Sequence, residues 1–312
     1  MSAALPQLDG GLFLTDGGIE TTLIFQEGFD LPHFAAFDLL ARDGGTTALR
    51  RYYDAYVPIA LDHGTGLILE SATWRASPDW ASLIGYDLDE LAQLNRAAID
   101  LLAEIRDANA TEQTPMPISG CIGPRGDGYA PASLMSADEA EEYHSVQIGM
   151  LRGTAADLVT AITMTYPDEA IGLARAARAV DLPVVISFTV ETDGRLPGGE
   201  TLGEAIETVD RATDAAPVYY MVNCAHPSHF EGGLETGGPW ERIRGLRANA
   251  STLSHAELDE SDELDAGDSA DLARRYVQLR ERLPELTVLG GCCGTDATHV
   301  RAICEAWLGA PS

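Results

Sequence analysis

The feature that most constrains this 312-residue chain is a repeated alternation between two hydrophobic patterns. Short apolar runs fall at residues 12–15, 67–70, 116–120, 158–162, 184–189, 218–222, 243–248 and 287–290, eight in all. Several are nearly continuous in Val, Ile, Leu and Met, the pattern of parallel strands buried on both faces. Stretches of helical spacing lie between them. Residues 89–107 carry Leu91, Leu94, Ala98, Leu101, Leu102 and Ile105, which a 3.6-residue period places on one face. Residues 137–152, 168–179, 201–214, 269–283 and 297–308 read the same way, and Ser136 ahead of Asp138 and Glu139 is a predicted N-cap. Strand and helix in alternation predict an α/β fold, a single (β/α)8 TIM barrel over residues 1–312. An open doubly wound sheet is the alternative, but no G-x-G-x-x-G follows the first run, which weighs against dinucleotide binding. Residues 251–269 are acidic and poor in large apolar groups, and are expected to form a solvated surface loop.

Composition narrows the chemistry. All 20 basic residues are arginine, against 49 acidic ones, for a formal charge of −29. Without lysine there is no Schiff-base nucleophile and no P-loop lysine. The charge argues against nucleic acid and anionic membranes as partners. Residues 1–10 show no basic segment followed by an apolar run, and runs such as 184–188 are far too short to span a bilayer. Five cysteines without a secretory signal imply thiols in a reducing, cytoplasmic setting.

The sharpest motif is Gly290-Gly291-Cys292-Cys293-Gly294-Thr295, at the end of the last apolar run. Adjacent side chains point to opposite faces of a regular strand. Two neighbouring sulfurs reach one site only if the backbone leaves strand geometry, which glycine permits. Cys224, in Val222-Asn223-Cys224-Ala225-His226-Pro227, ends the sixth run. Strand ends of a barrel gather at one mouth. Three thiolates meeting there form a soft site suited to Zn²⁺, with a fourth position open to substrate. A strained vicinal disulfide is the competing reading. His226 and His229 are further candidate ligands, while Cys121 and Cys304 read as small apolar fillers.

These segments resemble the homocysteine S-methyltransferase family. The likeness rests on Asn223-Cys224, on the Gly-Gly-Cys-Cys-Gly-Thr segment and on Thr15-Asp16-Gly17-Gly18-Ile19-Glu20-Thr21 at the first strand. Ser71-Ala72-Thr73-Trp74 and Gly120-Cys121-Ile122-Gly123-Pro124 extend it to about residues 8–308. The resemblance implies a (β/α)8 barrel in which Cys224, Cys292 and Cys293 hold Zn²⁺ and the substrate thiol is the fourth ligand. It implies an in-line displacement in which the thiolate of homocysteine, or a similar thiol, takes a methyl group from a cationic donor, giving methionine. The donors it suggests are sulfonium compounds of the S-methylmethionine, S-adenosylmethionine or dimethylsulfoniopropionate type. Asn249 falls where some relatives place an oxygen ligand before substrate arrives. Asp16, Gly17 and Gly18 match the segment that lies against the amino acid part of homocysteine, and Thr73 and Thr163 fall at strand ends of the implied substrate pocket.

One departure stands out. Many relatives end the fourth strand in Glu-Thr, and that glutamate contacts the substrate ammonium; here Ile162 stands in its place. Glu70 and Glu191 are candidate replacements, Arg75 and Arg125 candidate carboxylate binders, and Trp74, Phe188 and Tyr129 candidate π faces for the donor cation. The implied partners are a small-molecule thiol acceptor and a cationic methyl donor. Assembly into a homo-oligomer stays open, with no exposed stripe to mark it. The competing functions are a corrinoid-linked methyltransferase component, which needs a cobalamin-carrying partner, and a non-catalytic metal or thiol redox sensor.

Overall fold

The computed structural model describes residues 5–129, 133–235, 237–261 and 263–310. Nine short strands form one parallel sheet: β1 Phe13–Leu14, β2 Gly66–Leu67, β3 Leu69–Glu70, β4 Ile118–Ile122, β5 Leu158–Met164, β6 Val184–Phe188, β7 Tyr219–Asn223, β8 Ile243–Ala248 and β9 Val288–Gly291. Their order is β2-β1-β9-β8-β7-β6-β5-β4-β3. The two ends of that order are joined by Ile68 alone. The Ile68 N–H donates to the Leu14 carbonyl, whereas those of Leu67 and Leu69 donate to Pro115 and Pro117. Alternate residues of one extended segment thus pair with opposite neighbours, and residues 66–70 close the barrel as its second strand. Nine hydrogen-bonded segments and the eight expected strand positions are the same object.

The sequence periodicity accounts for most of this. Every residue of β4, β5, β6 and β7 is buried, as continuous apolar runs require. Helices Leu88–Asn109, Ala137–Leu151, Pro167–Ala179, Leu202–Thr213, Ser269–Leu279 and Ala297–Gly309 pack outside. Ser136 caps its helix as expected: its hydroxyl accepts from the Glu139 N–H, and the Glu139 carboxylate accepts from the Ser136 N–H. β4 begins two residues later than the apolar run. Pro115 and Pro117 have no N–H, so that stretch can accept hydrogen bonds but cannot propagate the ladder. β5 runs on past Ile162 through a register shift between Ala161 and Met164. Helices Gly45–Asp54 and Val57–His63 fill the long β1–β2 connection, where the apolar pattern marks no element.

Leu5, Phe13, Ile68, Leu158, Val185, Tyr219, Met221 and Val288, drawn mostly from strands around the ring, pack into one cluster that forms the barrel floor. A second, larger cluster joins the strands to the surrounding helices. The acidic segment 251–269 contains a short helix, His255–Asp259, and buries Ser251 and His255, although most of its other described residues are exposed. No helix of the described residues is long and apolar enough to cross a membrane.

Candidate active site

The site is built at the C-terminal strand ends. Cys224 follows β7 and has φ +52°, a left-handed conformation unusual outside glycine. Its carbonyl accepts hydrogen bonds from His255 Nε2 at 2.6 Å and Asn249 Nδ2 at 3.1 Å, and its N–H donates to the Arg247 carbonyl. These bonds hold a turned peptide that aims the sulfur inward. Cys292 and Cys293 lie just past β9. The Cys292 N–H still donates to Ala248 of β8, and Gly294 turns the chain at φ +78°. The strand therefore ends between Gly291 and Cys292, and the turn delivers both sulfurs to one side.

The three sulfurs lie within 4.8 Å of one another. Cys224 Sγ is 3.7 Å from Cys293 Sγ and 2.6 Å from Cys292 Sγ. A tetrahedral ion with metal–sulfur bonds of about 2.3 Å separates its sulfurs by about 3.8 Å. One edge already has that length, and an entering ion would part Cys224 and Cys292 by roughly 1 Å. Hydrogen bonds from the Cys224 and Cys293 thiols, with the Arg247 guanidinium behind them, hold the Cys292 thiol well below its usual range. The Tyr129 hydroxyl lies 3.5 Å from Cys224 Sγ and 3.6 Å from Cys293 Sγ. Burial and the neighbouring sulfurs keep that phenol protonated. Its ring stacks on His255 at 4.0 Å, and His255 in turn meets Glu191 at 3.1 Å. His226 and His229 stand apart, bonded to Ser228 and to the Thr252 carbonyl.

A pocket opens beside the sulfurs, lined among others by Asp16, Glu20, Glu70, Ile162, Thr163 and Arg247. Asp16 is buried and fully engaged: Arg247 Nη2 donates to it at 2.6 Å and the Tyr52 hydroxyl at 2.9 Å. Gly17 and Gly18 act through size. A Cβ on Gly17 would lie 2.6 Å from the Thr295 carbonyl oxygen, and one on Gly18 would lie 2.6 Å from that of Cys292. The first strand end can therefore press directly against the cysteine turn. The Gly18 N–H donates to the Thr295 carbonyl, so this amide already has an acceptor within the protein.

Thr163, at φ +68°, is fixed by Asn223, whose Oδ1 accepts from the Thr163 N–H and whose Nδ2 donates to its hydroxyl, both at 2.9 Å. Glu70 faces the pocket with one carboxylate oxygen buried and unpartnered, and burial pushes its carboxyl up to about 7.

Four expected positions fall elsewhere. Thr73 lies behind the pocket wall, its hydroxyl donating to the Cys121 carbonyl at 2.7 Å. Glu191 reaches the site only through His255. Asn249, by contrast, adjoins the cluster: its Nδ2 donates to the Cys224 carbonyl, and its Oδ1 is buried without a partner. Phe188 is fully buried against Tyr220, and the exposed pocket aromatics are Phe25 and Phe34. Arg125 is a surface residue paired with Asp79. Arg75 is buried and lines the pocket.

Two pocket charges escaped the sequence reading. Arg247 bridges Asp16, the Gly17 carbonyl and, through Nε at 3.1 Å, the Gly291 carbonyl. An arginine inside an otherwise apolar strand, as in Ile243-Arg244-Gly245-Leu246-Arg247-Ala248, was the available signal, because a buried guanidinium demands partners. Glu20 follows the Asp-Gly-Gly segment and faces the pocket, and burial raises its carboxyl to about 7.

Comparison with known proteins gives the family and the fold. The sequence model of the homocysteine S-methyltransferase family matches residues 13–307. The chain belongs to that family. It is a methyltransferase with a parallel α/β barrel and a three-cysteine cluster able to hold a metal ion. Homocysteine S-methyltransferase 4 of Zea mays is 24% identical over 95% of this chain and 90% of its own length. Selenocysteine Se-methyltransferase of Brassica oleracea is 22% identical over 94% and 88%. The metallated form of the homocysteine methyltransferase MmuM from Escherichia coli superposes with a TM-score of 0.74, at 18% identity, over 96% of this chain and 97% of that one.

Proposed function

We propose that this protein is a zinc-dependent S-methyltransferase that transfers a methyl group from a sulfonium donor to the thiol of homocysteine or a close analogue. The observation that carries the reading is the convergence of the Cys224, Cys292 and Cys293 sulfurs beside a pocket that holds both charged and apolar walls. Three soft thiolate donors with one side open fit Zn²⁺ and a further soft ligand. Zinc, when bound, supplies the Lewis acidity that keeps a ligated thiol deprotonated at neutral pH.

The chain's own residues position and exclude. Arg247, Asp16 and Tyr52 lock the first and eighth strand ends together, and Gly17 and Gly18 seat the cysteine turn. Thr163 and Ile162 line the wall facing the sulfurs, and Glu70 and Glu20 are carboxylates within reach of an acceptor's ammonium group. Tyr129, stacked on His255, covers one side of the cluster. The thiolate sulfur then attacks the methyl carbon in line. The new S–C bond forms as the donor's C–S⁺ bond breaks, and the electron pair leaves with the donor sulfur as a neutral thioether. No proton moves at the carbon, consistent with a pocket in which no lysine is available.

The test is a matrix of sulfonium donors and thiol acceptors assayed by mass spectrometry, with zinc measured in protein purified under reducing conditions. Methionine formed from homocysteine by protein carrying close to one zinc per chain is the expected result. Under about half an equivalent of zinc in active protein would sink the metal assignment.

A further inference from the structure

We infer that Arg75 receives the carboxylate of the methyl donor and so sets donor specificity; this rests on the methyl-transfer reading above. Arg75 follows β3 and is 6% exposed. Its guanidinium lies 4.0 Å from the ring centre of Trp74 and 3.8 Å from that of Trp80. With both faces covered by indole rings, only the N–H edge is available. One nitrogen on that edge, Nη1, donates to the Gly126 carbonyl at 3.0 Å, while Nε is buried without a partner. Among the described residues Arg75 makes no ion pair within 4.0 Å, in contrast to Arg125, which meets Asp79 at 2.8 Å; the Asp127 and Glu20 carboxylates of the same pocket act on it only at longer range. A buried guanidinium with unfilled N–H groups is costly unless an anion completes it, and its fork matches a carboxylate.

Position selects the donor over the acceptor. Cys224, Arg247, Cys292, Cys293 and Asp16 follow or end β7, β8, β9 and β1, on one side of the mouth. Arg75, Gly128 and Ile162 come from β3, β4 and β5, on the other. An in-line displacement places the leaving group on the far side of the methyl from the attacking sulfur. The donor's body therefore faces the Arg75 side, and the acceptor's charged end has Arg247 and Glu20 near the cysteines. A cationic donor lacking an anion would meet only repulsion from Arg75.

The experiment compares wild type with Arg75→Gln and Arg75→Lys, using S-methylmethionine, dimethylsulfoniopropionate and carboxylate-free trimethylsulfonium. KM is measured for donor and for homocysteine, and donor affinity is read separately from the fluorescence of the flanking tryptophans. Thermal melting checks that each variant is folded. Loss of a charge-assisted hydrogen bond predicts a rise of about 10- to 150-fold in KM and Kd for the two carboxylate donors in Arg75→Gln. The KM for homocysteine should not move, and any activity with trimethylsulfonium should hold or rise as the like charge is removed. Arg75→Lys, which keeps the charge without the fork, should recover only part of the loss. Unchanged carboxylate-donor affinity in Arg75→Gln overturns the inference. So does an equal loss with trimethylsulfonium, which means packing, or a rise confined to homocysteine, which means Arg75 holds the acceptor. Arg75-dependent binding of dimethylsulfoniopropionate without methylation of any thiol upholds the inference and overturns the reaction proposed above.

Discussion

At the floor of the barrel, Leu5, Phe13, Ile68, Leu158, Val185, Tyr219, Met221 and Val288 interlock as a mainly apolar plug. At the mouth, the same ring of strands ends in Asp16, Glu70, Arg247 and the three cysteines, all buried or half-buried. The floor is held by burial, which is non-directional and scales with area. The mouth is held by partners. Burying a charge there is costly unless a specific counter-charge or donor meets it, as Arg247 and Tyr52 meet Asp16. Substitutions at the floor should therefore appear as lost stability, and those at the mouth as lost function or lost geometry.

The strongest test of that division is Cys292→Ser. Removing one of three sulfurs should abolish zinc retention and lower kcat/KM on the order of a thousandfold, the several kcal/mol a metal supplies. The barrel should still melt cooperatively near the wild-type temperature. Full activity in this variant would falsify the metal reading.

Leu158→Ala is the mirror experiment. It opens a cavity at a fully buried floor position and should cost about 2–5 kcal/mol of stability by denaturant titration. Once corrected for the folded fraction, kcat/KM should match wild type. A change in zinc content would show that the two ends are coupled.

Gly18→Ala should give a smaller loss that belongs to both categories. Its new methyl would meet the Thr21 hydroxyl and the Cys292 carbonyl oxygen at 2.5 and 2.6 Å. Overpacking of this kind costs about 1–3 kcal/mol, and the displaced turn should weaken zinc affinity about 10- to 100-fold, as loss of a ligand's support does. Unaltered zinc affinity would mean that the turn does not depend on the first strand end.

The smallest effect expected is a change of slope. Burial raises the Glu70 carboxyl from 4.5 to about 7. Between those values the folded protein binds more protons than the unfolded chain, so this group's contribution is fully present below pH 4.5 and is lost as pH rises toward about 7. Glu70→Gln should flatten the decline in melting temperature across that window. An identical pH profile in the variant would contradict the assignment.

The legible parts of the molecule were those that depend on nearby residues. Runs such as Val184–Phe188 are apolar throughout because both faces of a parallel strand are buried. The adjacent cysteines were conspicuous because glycines on both sides announce a backbone departing from strand geometry. Helices Gly45–Asp54 and Val57–His63 were not legible, being short and presenting tyrosines as much as aliphatics to the core. From the motif alone, Asp16 reads as a group that lies against the substrate. Its partner Arg247 is 231 positions away, and only closure of the barrel through neighbouring β1 and β9 brings them together. Thr73 and Glu191 sit at strand ends as expected, yet their side chains turn to the Cys121 carbonyl and to His255.

By itself, then, the sequence determined the alternation that makes a parallel barrel, the helix caps and the identity of the three thiols. Each of these follows from residues within one turn, one strand or one short motif. The tertiary structure alone decided which charges at the mouth are already satisfied and which are left over. Asp16 is consumed by Arg247 and Tyr52, while Arg75 keeps part of its fork unfilled between two indole rings. Whether a buried charge has a partner is a property of distances across the closed ring, and no local pattern in the chain encodes it.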